Sequence, residues 1–466
     1  MTTALGARTG SPVTADLRLA WLLTRGSDRR EWWRIGLTAL GAALATGFAL
    51  TAVCLASLRG QYDISVGAGL LDQPGTRAGV IVGLLLLLVP VLGFLGQCTR
   101  IGAVHRDRRL ARLRLAGASS AQVRRISALE TGKASLLGSA LATVVSAVVL
   151  LGRWQSPPAL AWAALAVIGL GVPVLGTSAG ALALRRVVAS PLGWVRRAPS
   201  RSRRTSGLLF AGGVLLVAAL APVAVAVTSS GSPRGSRSPF EGGPLIVAGL
   251  LLVVGAAAVG LAGGTAGLMG RVLARRARTA ATLIAAERLR EDPWAAARTH
   301  AAVLLVTVVG TGFVGVRQAL NAELDRTRYL AADRSFYTAG LDLTAAAILV
   351  ALAITLGGLA VGTVESLATR RRGLAAQAAA GVPRSVLGRA LLLETALPLA
   401  PALLLGGAGG MAIGVWYARL TMDGPPVTPY AARLVPLGVY AACLLAAATS
   451  LPLLRRSVRP AELRHT

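Results

Sequence analysis

Residues 78–98 read AGVIVGLLLLLVPVLGFLGQC, and this run contains no charged side chain. A helix of about 20 apolar residues spans the hydrocarbon core of a bilayer. Similar runs recur along the 466-residue chain, which is 54% hydrophobic and 15% charged, whereas soluble domains contain about 25% charged residues. The sequence therefore predicts an all-α polytopic membrane protein and excludes a water-soluble enzyme. A transmembrane β-barrel is also excluded, because apolar and polar residues do not alternate in these runs.

Ten apolar runs are long enough to be transmembrane helices, and this even number predicts that both ends of the chain lie on the same side. Of the 49 lysine and arginine residues, 38 lie in alternate inter-span segments that include residues 1–34 and 455–466. Cytosolic loops are enriched in basic residues, so both termini are expected in the cytosol. The predicted spans are residues 35–57, 78–98, 134–152, 159–183, 207–227, 244–267, 301–316, 341–364, 391–418 and 434–454.

The formal net charge of +30 raises the question of nucleic-acid binding. The basic residues lie between the apolar runs, and 48 of the 49 are arginine, with Lys133 the only lysine. This bias, together with abundant alanine and glycine, is typical of a GC-rich bacterial genome. We therefore expect no nucleic-acid partner and place the chain in the lipid bilayer of a bacterial plasma membrane.

One polar stretch occurs twice. Residues 106–131 read RDRRLARLRLAGASSAQVRRISALET, and residues 370–395 read RRRGLAAQAAAGVPRSVLGRALLLET. At an offset of 264 they share the Ala-Gly pairs at Gly117 and Gly381 and the Glu-Thr pairs at Glu130 and Glu394, among other matches. We name these stretches the first and second elbow. Their recurrence on the side predicted to be cytosolic indicates two four-span repeats in parallel orientation.

The repeats divide the chain into five parts. The lead-in contains an amphipathic pattern at Leu17–Arg25, which suits either a membrane-surface helix or a cytosolic packing helix. A connector with spans five and six separates the two repeats. The five parts are the lead-in 1–34, the first repeat 35–183, the connector 184–300, the second repeat 301–454 and the cytosolic tail 455–466.

Each elbow has the pattern of a helix, a glycine turn and a second helix. Gly117 and Gly381 are expected to adopt the left-handed conformation that ends the first helix. Ser119 is expected to cap the second helix of the first elbow, with Gln122 completing a capping box, and Pro383 suits the first helical position in the second elbow. The simpler alternative is a topological hairpin with cytosolic arginines.

At these residues the sequence resembles the FtsX-like permease family, the membrane subunits of MacB-type ABC transporters. The stretch Arg114-Leu115-Ala116-Gly117-Ala118, the segment Gln122–Glu130 and the ending Arg459–Arg464 (RPAELR) match its pattern. The resemblance covers about half of the chain, over roughly residues 80–190 and 345–465. It implies a permease that moves a hydrophobic or amphipathic substrate, with export expected, using ATP hydrolysed by a separate ATPase.

The resemblance also implies that the elbows bind the ATPase, in two copies because the chain contains two elbows. No cofactor, metal or nucleotide site of the chain itself is expected, because the sequence contains no phosphate-binding loop and its three histidines are scattered. The docking residues implied are Arg112, Arg114, Leu115, Gly117, Ala118, Gln122, Arg125, Leu374, Gln377, Ala380, Gly381, Pro383, Arg384 and Arg389.

The chain departs from the family in its outer loops. MacB-like members contain a large extracytoplasmic domain, whereas the loops predicted here, 58–77 and 317–340, are shorter than the roughly 40 residues that a domain needs to fold unaided. A substrate taken directly from the membrane is therefore favoured. A secondary transporter or a non-transporting membrane scaffold remains the alternative, because secondary transporters also contain parallel repeats.

Overall fold

A computed structural model describes residues 29–58, 68–98, 115–153, 158–183, 243–327, 329–330, 332–421 and 430–457. Every regular element in these ranges is helical, in agreement with the predicted all-α class. The helices are α1 (Arg29–Ala56), α2 (Pro74–Cys98), α3 (Ser120–Arg153), α4 (Ala159–Ala183), α5 (Gly243–Arg276), α6 (Ala280–Glu291), α7 (Pro293–Arg326), α8 (Arg334–Thr369), α9 (Arg371–Ala379), α10 (Arg384–Thr421), the 3-10 turn Ala431–Arg433, α11 (Leu434–Ala448) and α12 (Leu451–Ser457).

Nine stretches among the described helices are long and apolar enough to cross a membrane, and each overlaps a predicted span. They lie in α1 to α5, in α7, α8 and α10, and in the segment Ala431–Leu454. The predicted fifth span, 207–227, lies outside the described residues, as do the amphipathic segment Leu17–Arg25 and the ending Arg459–Arg464. The chain is thus a multi-pass, membrane-embedded helical protein.

Several helices extend well beyond the spans predicted from hydropathy. The helix that contains the predicted span 301–316 is longer than that span, because α7 has 34 residues and ends at Arg326. Much of the predicted loop 317–340 is also helical, since α8 begins at Arg334. A helix can continue beyond the hydrocarbon when its polar side chains find partners there. Here Arg334 Nη2, at the start of α8, lies 2.6 Å from Asp325 Oδ1, near the end of α7. Hydropathy marks only the part of each helix that crosses lipid.

Large apolar side chains are exposed on several of the described helices. On α3 they recur every three or four residues, which defines one helix face. In water such a stripe would be unfavourable, but in lipid it is the expected outer surface. Trp32 and Trp33, at the start of α1, are also exposed, at a position typical of the aromatic belt at a membrane interface. The exposed α3 stripe consists of Leu137, Leu141, Val144 and Val148.

The chain forms two compact units. The first comprises Met1–Leu50 and Cys98–Ser200, and within it α1, α3 and α4 are joined by hydroxyl groups. The Thr46 hydroxyl donates to Ser139 Oγ at 3.1 Å, and the Ser139 hydroxyl donates to the Gly169 carbonyl at 2.7 Å. Interhelical hydrogen bonds of this kind stabilise helix contacts in membranes.

The second unit comprises Thr51–Gln97 and Arg201–Thr466. Its core is an apolar cluster between α5, α7, α8, α10 and α11 that includes Leu304, Leu359, Leu403 and Cys443. At the contact of α7 with α10, a β-carbon at Gly410 would overlap the carbonyl oxygen of Val308. Only glycine permits this approach of the two backbones, as in small-residue interfaces of other membrane helices.

Helix α2 packs within the second unit. The α-carbon of Phe94 lies 3.6 Å from the position of a β-carbon at Gly358 of α8, and its ring edge lies at 3.7 Å. Residues 94 and 358 are separated by the same 264 positions as the two elbows. Each is therefore the counterpart of the other in the predicted repeats.

The predicted topology can be tested with cysteines placed on a background in which Cys54, Cys98 and Cys443 are replaced. Ser335→Cys lies at the start of α8 and Ser385→Cys at the start of α10, both at exposed positions. If the basic segments are cytosolic, a membrane-impermeant thiol reagent should label position 335 in intact cells and position 385 only after permeabilisation. The reverse pattern would invert the topology.

Candidate functional site

The second elbow contains a complete glycine-terminated helix end. Gly381 has φ +87°, as predicted, which is a left-handed conformation that favours glycine. Its N–H donates to the Ala378 carbonyl at 3.0 Å, and the Val382 N–H donates to the Gln377 carbonyl at 3.1 Å. This pair of bonds is a Schellman motif, which satisfies the last carbonyls of α9 before the chain turns into α10.

An apolar cluster of buried leucines packs α9 of this elbow against the neighbouring helices. Leu367 of α8, Leu374 of α9 and Leu387 of α10 are buried together with Leu391 and Leu454. The prediction that Leu374 contacts an ATPase directly is therefore wrong, since only 2% of this residue is exposed. Its burial instead fixes α9 against the ends of the long helices, so the elbow is built as a packed body.

The outer surface of the second elbow is formed by other predicted residues. Gln377 is half-buried. Pro383 directly precedes the helix, whereas the prediction placed it at the first helical position. Helix α10 begins at Arg384, and the Pro383 carbonyl accepts from the N–H groups of Val386 and Leu387, as a residue that precedes a helix does. The exposed predicted residues are Ala380, Gly381, Pro383, Arg384 and Arg389.

The first elbow has the same turn. Gly117 has φ +97°, and the Gln122 N–H donates to Ser119 Oγ at 3.2 Å, which confirms both the left-handed glycine and the serine cap. Leu115 is 82% exposed, unusually high for a leucine. Ala118 and Gln122 are half-buried.

The helix that follows this turn is anchored by its apolar side. Val123 and Ile126 are both 1% exposed, whereas Arg125 on the same helix is exposed. These two positions therefore form a buried apolar side of the helix. Arg112 and Arg114, the other basic residues predicted to dock the ATPase, lie outside the described residues.

Each elbow ends in a carboxylate that is paired with arginine. Glu130 Oε1 lies 3.9 Å from Arg34 Nη2 of α1, and both side chains are buried. Glu394 is within 3.0 Å of both Arg288 of α6 and Arg370. The sequence marks the two glutamates through their repetition, but it does not show that Arg34 of α1 and Arg288 of α6 are their partners. Arg370 lies within the second elbow itself.

Within the described ranges, no group of three histidine, cysteine, aspartate or glutamate side chains is placed to hold a metal ion. No family model, no curated protein sequence and no solved structure matches this chain. Inferences about function must therefore start from the elbows themselves.

The left-handed turn predicts an asymmetry between two glycines of the second elbow. Gly381→Ala should lower the free energy of unfolding by about 1–2 kcal/mol, because an alanine β-carbon is strained at this φ. Gly373→Ala should raise it by up to about 1 kcal/mol, because Gly373 is an exposed helical residue with open space around its α-carbon. Urea unfolding followed by tryptophan fluorescence would measure both. Equal changes in the free energy of unfolding for the two variants would show that an alanine side chain does not strain the backbone at position 381.

Proposed function

We propose that this chain is the permease subunit of an ABC transporter and moves a hydrophobic or amphipathic substrate outwards. A separate ATPase subunit supplies the energy of ATP hydrolysis, and the chain contains no nucleotide site of its own. The proposal rests on one observation above all. The same glycine-turned elbow occurs twice, with an exposed turn in each copy, at Gly117 and Gly381.

The construction of the elbows suits the transmission of movement. In the second elbow the buried leucines join α8, α9, α10 and α12, so a push on its exposed side would move the ends of long helices. Protein interiors are close-packed and deform little, which allows force to pass through them. A purely topological hairpin would need neither the Schellman motif nor this core.

Two elbows in one chain suggest that a single copy binds two ATPase subunits. The contact of Phe94 with Gly358 supports this arrangement, because these residues are counterparts at the offset of the repeat. In a symmetric dimer, a residue that touches its own counterpart lies at the two-fold axis. A contact between counterpart residues is therefore what a dimer fused into one polypeptide would contain.

The alternative of an ion-coupled secondary transporter has less support. Such transporters place ionisable residues near the middle of the membrane, where they bind coupling ions. The buried ionisable residues of the described ranges lie instead toward the ends of the apolar stretches, and the one carboxylate among them, Glu130, belongs to the first elbow. These buried residues are Arg34, Arg77, Glu130 and His300.

The short connections on the side predicted to be outside favour a substrate taken from the bilayer. The described helices α7 and α8 are separated only by residues 327–333, which leaves no room for a substrate-capturing domain there. An amphipathic substrate dissolved in the membrane would reach the bundle without such a domain. Hydrophobic peptides, antibiotics and lipids share this property.

The proposal predicts that Leu115 contributes to ATPase binding. Leu115→Asp should weaken binding of an ABC ATPase subunit by about tenfold or more, since burying a leucine is worth about 1.5–3 kcal/mol. Tyr329→Asp provides the control, because Tyr329 is 92% exposed in the connection between α7 and α8, on the side predicted to be outside. Binding would be measured by co-purification and titration in nanodiscs. Failure of wild-type chain to bind any ABC ATPase would refute the proposal.

A further inference from the structure

Glu394 joins three helical elements at one point. Arg370 Nη1 donates to Glu394 Oε1 at 2.7 Å and to Oε2 at 3.0 Å, and Arg288 Nη1 donates to Oε2 at 3.0 Å. Arg370 lies between α8 and α9, Arg288 is on α6, and Glu394 is in α10. One carboxylate therefore connects the start of the second elbow with both α6 and α10.

The charges make this connection depend on the carboxylate. Both guanidinium nitrogens are within hydrogen-bond distance of Oε2, so the two cations are at most about 6 Å apart and would repel each other without it. The Glu394 side chain is only 20% exposed, which limits screening by water. Removing its charge would weaken all three charge-assisted hydrogen bonds and leave the two guanidinium groups to repel each other, which would push α6 away from the elbow.

Helix α6 leads directly into a membrane-spanning helix. It ends at Glu291, and α7 begins at Pro293 after the single residue Asp292. A displacement of α6 is therefore passed to α7 across a one-residue joint. The path runs from the elbow through Glu394 and Arg288 into α7.

The first elbow contains the same kind of connection. Glu130, the counterpart of Glu394, lies beside Arg34, which belongs to α1, the helix that corresponds to α7 in the predicted repeats. The carboxylate occupies the same position in both copies, whereas the arginine comes from a different place in each. In the first copy the link reaches the first span of the repeat directly, whereas in the second copy it reaches α6, the helix that precedes that span.

We propose that Glu394 is a positioning residue that transmits movement of the second elbow to α6 and α7. This inference rests on the proposed function, since an ATPase must supply the movement. It assigns a role to a side chain beyond the docking surface. The carboxylate holds α6 and the elbow as one body during the ATP cycle.

The experiment uses the full chain in nanodiscs, with native cysteines replaced and spin labels at Leu283 of α6 and Ala376 of α9, both exposed. Pulsed electron paramagnetic resonance should give one narrow distribution of the distance between the two labels in the parent chain. In Glu394→Gln this distribution should be broader. Glu394→Asp, which keeps the charge, should remain close to the parent. Glu287→Gln is the matched control, because Glu287 pairs with Arg290 on the same helix at a site that is 51% exposed.

A second measurement follows the ATP cycle. With its ABC ATPase partner bound, ATP and vanadate should change the spectra of labels at both positions in the parent. In Glu394→Gln, ATP hydrolysis and the change at position 376 should persist, while the change at position 283 should be lost. If Glu394 had only a structural role, ATP hydrolysis and the spectral changes at positions 376 and 283 would all decrease together.

The outcomes separate the two proposals. An unchanged distance distribution in Glu394→Gln would overturn the link, whether or not an ATPase binds. Broadening with an undiminished ATP-dependent change at position 283 would overturn its role in transmission. If the parent chain binds no ATPase, the proposed function and the transmission both fail, while the distance measurement still tests the link.

Discussion

Inside a bilayer, each peptide N–H and C=O group must be bonded within the protein, because the hydrocarbon offers no water to bond it. This requirement explains why the regular elements in the described ranges are helices and why most are long. It also explains where the chain turns. The left-handed glycines of the elbows, Gly117 and Gly381, lie outside the apolar runs, where the freed carbonyls can be bonded by a Schellman motif or by water.

Helices in lipid gain little from the hydrophobic effect when they associate, so close packing and polar contacts must hold them together. Gly410 allows the backbones of α7 and α10 to approach, and Ser139 links α1, α3 and α4 through its hydroxyl. Charged groups are placed where their cost is lowest, at the ends of the spans, and each of the two repeated glutamates is paired with arginine. Each ion pair connects its elbow to other helices of the same compact unit. A force applied to an elbow would therefore reach those helices.

The sequence was sufficient to predict the helical membrane fold, the left-handed glycines and the Ser119 cap, because each depends on local chemistry or on the length of an apolar run. It did not predict the extent of α7 and α8, since backbone hydrogen bonding continues beyond the apolar residues. It also placed Leu374 among the docking residues, although that leucine is buried by residues from three other helices. Gly410 had no distinctive local signal among 55 glycines. Arg34 is 96 positions from Glu130 and Arg288 is 106 positions from Glu394, whereas Arg370 is only 24 positions from Glu394.

We propose that one duplicated chain presents two elbows to a pair of ATPase subunits. Native mass spectrometry of the complex, released from nanodiscs, gives the number of copies of each subunit. We expect the mass of one 47.5 kDa chain with two ATPase subunits. A complex of two such chains with two ATPase subunits would contradict it, because each chain would then use only one of its elbows.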